Sequence, residues 1–472
     1  MTNDLGFPEP NAPLTSSLYN WEIKLYVPGD EEKDKIKPAE ICEINVAKGY
    51  RGSYAPMMSA SLRFHKKDLY KLKIKEKDLI VSVNLTRIDY VTVGGSIRVI
   101  KSDTSIISDE FLPVFATDTF PTTRRYENLK DTSATESEHG TGDAEFSVMD
   151  PVINMGLIYI TAQKISKIPI CQCFSPGLNI ADALMWVVAN SNKYIKRQIV
   201  DLPTNTNPQD YVVLPPSNFV AAIKTLQSVY GVYDTGLDLF CDDDSTLYVL
   251  NRYALDHDCV AKDVMIIDMY MADPDAHGIM APYRAEKDGK VSYRGDFKLM
   301  ESDDEILESE LAGDSFLFSS YEQTVNAVVY QDGQVESSTV RPIAKSLKRN
   351  IESHKYSGEK EVVDYDELNN PYGASSLLAE LEHTAKRYSF NIPNPNIVDF
   401  RPNKYVQLHF RDSGKEHMMG GKYHIFGVEF KFATPSEWRL QAKDPSLIAF
   451  NGLLTRCNGT VHISRKDPEV GK

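Results

Sequence analysis

Tyr405-Val406-Gln407-Leu408-His409-Phe410 alternates apolar Val406, Leu408 and Phe410 with Tyr405, Gln407 and His409. That two-residue period marks a strand with one buried face. A stretch bearing Gly414, Gly420 and Gly421 then turns the chain. Tyr423 to Phe432 returns as a second strand, and Trp438-Arg439-Leu440-Gln441-Ala442 supplies a third. Such a meander predicts an antiparallel β-barrel over 315–450. Residues 451–472 lose the pattern, turn polar and read as a C-terminal extension.

Outward from the meander, the N-terminal third carries the same signal. Trp21-Glu22-Ile23-Lys24-Leu25-Tyr26-Val27 alternates, as does Ser59 to His65 with Leu62 and Phe64 on one face. Leu79 to Val93 is rich in β-branched residues, and Gly94-Gly95 before Ile97-Arg98-Val99-Ile100 is a hairpin signal. Asn154 to Ile165 reads as a further strand. Residues 18–168 are therefore expected to form a first barrel. Its surface loop at 130–145 has no aliphatic side chain larger than alanine. Residues 1–17, rich in proline, asparagine, serine and threonine, read as an N-terminal arm.

Helical periodicity enters between the barrels. Asn179 caps a helix with Ile180, Leu184, Val187 and Val188 on its apolar face. Pro215-Pro216-Ser217 opens a second helix, in which Phe219, Ala222, Ile223, Leu226 and Tyr230 share a face and Gly231 stands at the C-terminal cap. Leu237-Asp238-Leu239-Phe240 and Leu247-Tyr248-Val249-Leu250 follow as strands around the turn Asp242-Asp243-Asp244-Ser245. Residues 169–261 thus read as an α/β unit, and 262–314 as a strand-rich connecting region. Within 315–450, Asp332-Gly333 marks a turn and 375–388 a helix with Leu377, Leu378, Leu381 and Ala385 buried.

The 472 residues include 52 basic and 67 acidic side chains, a net charge of −15. Such a chain is a poor partner for nucleic-acid phosphates and for an anionic membrane surface. No run approaches the roughly 18 uncharged apolar residues of a membrane-spanning helix. Met1-Thr2-Asn3-Asp4 has neither the basic region nor the apolar core of a signal peptide, and none is expected. Six scattered cysteines read as reduced thiols.

Residues able to carry chemistry do not converge. Cys171-x-Cys173 has the wrong spacing for a zinc knuckle and no second pair completes it; two small side chains at a strand end is the plainer reading. Asp242-Asp243-Asp244 lacks the alternating oxygens and terminal glutamate of a calcium loop and reads as the solvated tip of a hairpin. Asp256-His257-Asp258-Cys259 sets a nucleophile beside a base, but neighbours in an extended segment point to opposite faces. No Gly-rich phosphate loop, nucleophile elbow or His-Glu-x-x-His motif occurs. Lys71 to Lys77 alternates lysine with Leu72 and Ile74 and reads as a protected edge strand, with contact to an acidic protein neighbour as the other reading. No catalytic, cofactor-binding or metal-binding residue is assigned, and no cofactor.

The run Phe400-Arg401-Pro402-Asn403-Lys404-Tyr405-Val406-Gln407-Leu408, followed by Gly421-Lys422-Tyr423-His424-Ile425-Phe426-Gly427-Val428-Glu429-Phe430 and by Trp438 to Leu447, resembles the closing barrel of baseplate hub proteins of contractile-tailed bacteriophages. That hub module is shared with type VI secretion spikes. Ile160 to Ile165 before the helix at Ile180 is similar to another hub segment, as is Pro215 to Phe219 through Tyr230-Gly231-Val232-Tyr233-Asp234. The 130–145 loop and residues 451–472 depart from the pattern.

The resemblance implies a mainly β fold with an α+β insert: two tube-like antiparallel β-barrels plus a small α/β unit per chain. It implies a structural protein of the virion tail baseplate, made in the host cytoplasm, and no enzyme. Three chains would form a pseudo-six-fold homotrimeric ring that joins a six-fold tail tube to a three-fold central spike. The implied partners are the spike, the tail tube or a tube-initiator protein, and baseplate wedge proteins. DNA would transit the lumen without stable binding, and no membrane is involved. An acidic lumen would repel phosphates within a Debye length of about 8 Å. The residues alone also leave open a carbohydrate-active hydrolase of phage or bacterial surface origin and a non-catalytic adhesin.

Overall fold

The computed structural model describes residues 16–49, 54–65, 68, 78–93, 96–102, 106–115, 151–209, 211–254, 266–271, 283–287, 290–295, 299–301, 327–331, 334–338, 372, 376, 387–402, 404–412, 415–416, 421–435 and 452–464. The first strands are β1 (Ser16–Tyr26), β2 (Glu40–Gly49), β3 (Met57–Arg63), β4 (Ile80–Val93), β5 (Ser96–Ser102), β6 (Ile107–Phe115) and β7 (Val152–Tyr159). Next come α1 (Ile160–Ser166), β8 (Pro169–Phe174), β9 (Leu178–Asn179), α2 (Ile180–Ala189), β10 (Arg197–Val200), β11 (Pro208–Gln209), β12 (Val212–Asn218), α3 (Phe219–Thr225), β13 (Leu237–Cys241) and β14 (Thr246–Asn251). The remaining strands are β15 (Ile266–Met271), β16 (Tyr283–Lys287), β17 (Lys290–Gly295), β18 (Leu299–Glu301), β19 (Ala327–Gln331), β20 (Gln334–Ser338), β21 (Arg387–Pro393), β22 (Tyr405–Asp412), β23 (Lys415–Glu416), β24 (Gly421–Ala433) and β25 (Leu453–Ser464).

Eight strands close into an antiparallel barrel in the order β24-β2-β3-β7-β6-β4-β1-β25 and back to β24. Eight is the number whose interior side chains can just fill. Trp21 and Tyr19 set their rings against Phe432 at 4.9 and 5.2 Å, edge to face. The Trp21 indole Nε1 donates to Thr455 Oγ1 at 3.0 Å, which satisfies a buried donor. The mainly β fold with a closed antiparallel barrel is as expected, but its strands come from both ends of the chain.

The largest correction concerns residues 451–472. Leu453–Ser464 is no extension but the strand that closes the barrel, paired with β1, β21 and β24. Its inward residues include Thr455, Cys457 and Gly459 besides Val461 and Ile463, so the apolar alternation is faint in the sequence. Small residues are needed there because Trp21, Phe430 and Phe432 fill the space opposite. A Cβ on Gly459 would lie 2.9 Å from Pro395 Cγ and 3.3 Å from the Phe430 ring.

β24 and β25 continue into a second set of eight strands, β18-β21-β25-β24-β22-β15-β17-β16. Two of its pairings, β15 with β17 and with β22, are parallel. Among the described residues this set stays open between β16 and β18. Its own core joins Tyr293, Phe390, Phe400, Val406, Leu408 and Tyr423, all buried. Tyr293 stacks at a tilt on Phe400 and donates to Asp399 Oδ2 at 2.7 Å. Strands β15 to β18 lie within 262–314, so that region builds this sheet rather than connecting two others.

Three smaller departures are local. The strand expected to run to Ile165 ends at Tyr159, and Ile160–Ser166 is helical with Ile160, Ala162 and Ile165 buried. Good helix formers such as Ala162, Gln163 and Lys164 win there over β-branched neighbours. Pro215-Pro216 does not open a helix. The prolines sit in a bulge of β12 where the register with β8 shifts between Leu214 and Ser217, and a bulge needs no N–H from them. Asn218 caps α3 instead, accepting from Ala221 N at 2.9 Å. Arg387, expected at a helix end, opens β21; residues 377–386 lie outside the described residues. The 130–145 loop, Lys71 to Lys77, Asp256 to Cys259 and Trp438 to Ala442 also lie outside them.

The helix over Ile180–Ala189 forms as expected. Asn179 Oδ1 accepts from Ala181 N at 3.0 Å, and Ile180, Leu184, Val187 and Val188 are fully buried. Gly231 ends the helical segment at φ +67°, the left-handed cap that glycine adopts without strain. One continuous apolar core runs from the barrel into this α/β unit. Among the described residues, no helix is long and apolar enough to cross a membrane.

Candidate functional site

The α/β unit is seated on the barrel through the tip of its β13–β14 hairpin. The tip was expected to be solvated, yet Asp242 and Asp243 are 4% and 3% exposed. Lys48, near the end of β2, reaches both: its Nζ donates to Asp242 Oδ1 at 2.6 Å and to Asp243 Oδ1 at 2.9 Å. An aspartate run does not announce a distant lysine, so the pairing was invisible in the sequence. Burial opposes ionisation of Asp242, but the Lys48 charge and hydrogen bond, with Arg401 behind them, hold its carboxyl below the usual range. Burial, with Asp242 and Asp244 added, outweighs Lys48 at Asp243 and lifts that carboxyl well above it. Burial works against the Lys48 ammonium, yet the two carboxylates raise it overall.

A second anchor lies beside the first. Ser245 Oγ donates to Asp109 Oδ2 on β6 at 2.9 Å and lies 2.9 Å from Tyr159 Oη, which itself donates to Asp109 at 2.7 Å. Cys241 N donates to the Tyr54 carbonyl at 2.8 Å, and burial pushes the Cys241 thiol up. On the other flank, Arg401 hydrogen-bonds Tyr248, and Tyr405 Oη donates to the Tyr253 carbonyl at 2.8 Å. The unit is thus tied to the first barrel on one side and to the second strand set on the other. These groups hold the α/β unit to its two neighbours, and most of their hydrogen bonds are made to each other.

The outer face of the shared sheet is concave. A groove of about 840 Å³ runs across β3, β2, β24, β25 and β21. The register sets outward residues in rows: Met57, Ala47, Glu429, Thr460 and Asn391 in one, and Ser59, Asn45, Lys431, Asn458 and Pro393 in the next. Among the described residues its lysine is ion-paired, and its glutamate lies beside a histidine. Lys431 Nζ lies 2.6 Å from Glu43 Oε2, and His462 Nε2 lies 3.4 Å from Glu429 Oε1, whose carboxyl His462 lowers. The wall is otherwise amide, hydroxyl and apolar side chains, the apolar ones ranging from Ala47 to Met57, Ile392 and Phe430.

Cys171 and Cys173 are exposed on β8. Among the described residues no group of three or more His, Cys, Asp or Glu side chains could hold a metal ion.

The family described as Bacteriophage PBS1 gene 109 protein matches residues 11–271, more than half of the chain. The chain belongs to that family. The phage resemblance read in the sequence is borne out at this level. No curated protein matches this family member. Among solved structures it is similar to a tail protein from Neisseria meningitidis MC58, with 9% identity, 96% of this chain and 98% of that chain covered, and a TM-score of 0.44. It is also similar to the 43 kDa tail protein of prophage MuSo2 from Shewanella oneidensis, with 8% identity, 94% and 96% covered, and a TM-score of 0.42. A third is the Francisella PdpA-VgrG complex in its lidded form, with 10% identity, 98% and 55% covered, and a TM-score of 0.41.

Proposed function

We propose that the chain is a structural hub of the phage tail baseplate, three copies of which form a ring between tail tube and central spike. The observation that carries this reading is the pair of eight-strand sets fused through β24 and β25 into one sheet. Each chain then presents two strand sets side by side, and three chains present six. Such a ring meets a six-fold partner on one face and a three-fold partner on the other. The concave outer face is the natural lumen wall. Its amides and hydroxyls, with the lining lysine Lys431 held by Glu43, offer passing DNA no run of cations to bind. The net charge of −15 is therefore not what keeps this wall from sticking. The buried seat of the α/β unit serves as a rigid brace and not as a catalytic centre.

Light scattering after size exclusion, with and without the candidate spike protein, tests the reading. The expected mass is about 159 kDa, three times the 53.1 kDa chain, at least in the presence of the spike. A monomer or dimer under both conditions would overturn it.

A further inference from the structure

One ammonium and two carboxylates meet where the hairpin tip enters the barrel. The side chains of Lys48, Asp242 and Asp243 keep 9%, 5% and 4% of their exposure. Each packed element adds to the local charge. β6 brings Asp109, held by Ser245, and β7 brings the Tyr159 phenol. The hairpin itself adds Asp244 and the Cys241 thiol, with Tyr54 beside that thiol. Arg401, over the Tyr248 ring at 5.1 Å, acts on Asp242 from beyond. Among the described residues, two cations thus face four carboxylates if all ionise. Asp243 Oδ2 is the fault in that arrangement: it is buried and has no hydrogen-bond partner among the described residues. An ionised oxygen that has lost water and gained no donor is costly to keep.

We infer that Lys48, Asp242 and Asp243 form a proton-linked latch: seating the hairpin tip on β2 takes up one proton at Asp243, and raising the pH loosens the α/β unit from the barrel. With that proton bound, Asp243 Oδ1 still accepts from Lys48, and Lys48 with Asp242 leaves one balanced pair. Burial and the neighbouring aspartates shift Asp243 in the direction this geometry demands. An unfolded chain releases the same proton near the ordinary aspartate value of about 4. Between that value and the raised folded one, the folded state binds more protons, so stability falls as pH rises. The inference does not depend on the hub reading.

The full-length chain tests it in urea titrations from about pH 5 to about pH 9, wild type against Asp243→Asn. The wild-type midpoint is expected to fall across that range and the variant's to stay level. Amide exchange at Asp242 to Thr246, corrected for intrinsic base catalysis, should quicken with pH in the wild type alone. Parallel midpoints in the two proteins overturn the latch. Should Asp243→Asn not fold, infrared spectroscopy of the wild type decides: a protonated-carboxyl band that titrates away above about pH 5 supports it, and no such band overturns it.

Discussion

Ser245 holds φ at +63°, a left-handed backbone in a hairpin turn where glycine or asparagine is the usual occupant. Its hydroxyl explains the choice, since no glycine could reach Asp109 and Tyr159 across the junction. Ser245→Ala would lose both contacts and keep the strain, whereas Ser245→Gly would lose the contacts and relax the backbone. We therefore expect the glycine variant to exceed the alanine variant in stability by about 1 kcal/mol in urea unfolding. The reverse order would show that the strain is borne elsewhere. At this scale the sequence was a poor guide. Three aspartates and a serine at a turn have the same appearance whether water or a buried lysine is their partner. Only the fold brings Lys48, 194 positions away, within 2.6 Å of Asp242.

At the scale of elements, legibility followed the source of stability. The helix at Ile180 was readable because its cap and its apolar stripe lie within one short window. The strand Leu453–Ser464 was not, because its inward residues were chosen to fit partners from tens to hundreds of positions away. Gly459 shows the consequence. Gly459→Ala would press a methyl group against Pro395 and Phe430, and overpacking of this kind costs about 1–3 kcal/mol. The expected result is a lowered urea midpoint with an unchanged slope. An alanine variant as stable as wild type would mean that the Pro395 segment moves freely. The prolines at 215 and 216 teach the same lesson: helix-start chemistry was read where a tertiary bulge had claimed them.

For the whole molecule, the hub reading places the concave face on a DNA passage. Asn45→Lys together with Asn458→Lys would put two added cations on β2 and β25, the strands that flank β24, one on each side of Lys431. Wild-type protein is expected not to retain duplex DNA at about 0.15 M salt, and the double variant to retain it in a salt-dependent way. Filter binding across a salt series distinguishes the two. Equal retention would take this face off the passage without touching the ring itself, which the mass measurement addresses.

The sequence by itself determined which segments are strands and helices wherever the period was strong, and it determined the phage kinship. It also determined the order of strand-rich and helical regions, because periodicity is a local property of neighbouring side chains. Which strands pair was decided only in three dimensions. The barrel takes β1 to β4, β6 and β7 from one end of the chain and β24 and β25 from the other, and the same two late strands lie at the middle of the second strand set. Hydrogen-bonded pairing across such distances rests on shape fit between large and small inward residues, such as Trp21 against Thr455. Neither residue signals the other along the chain.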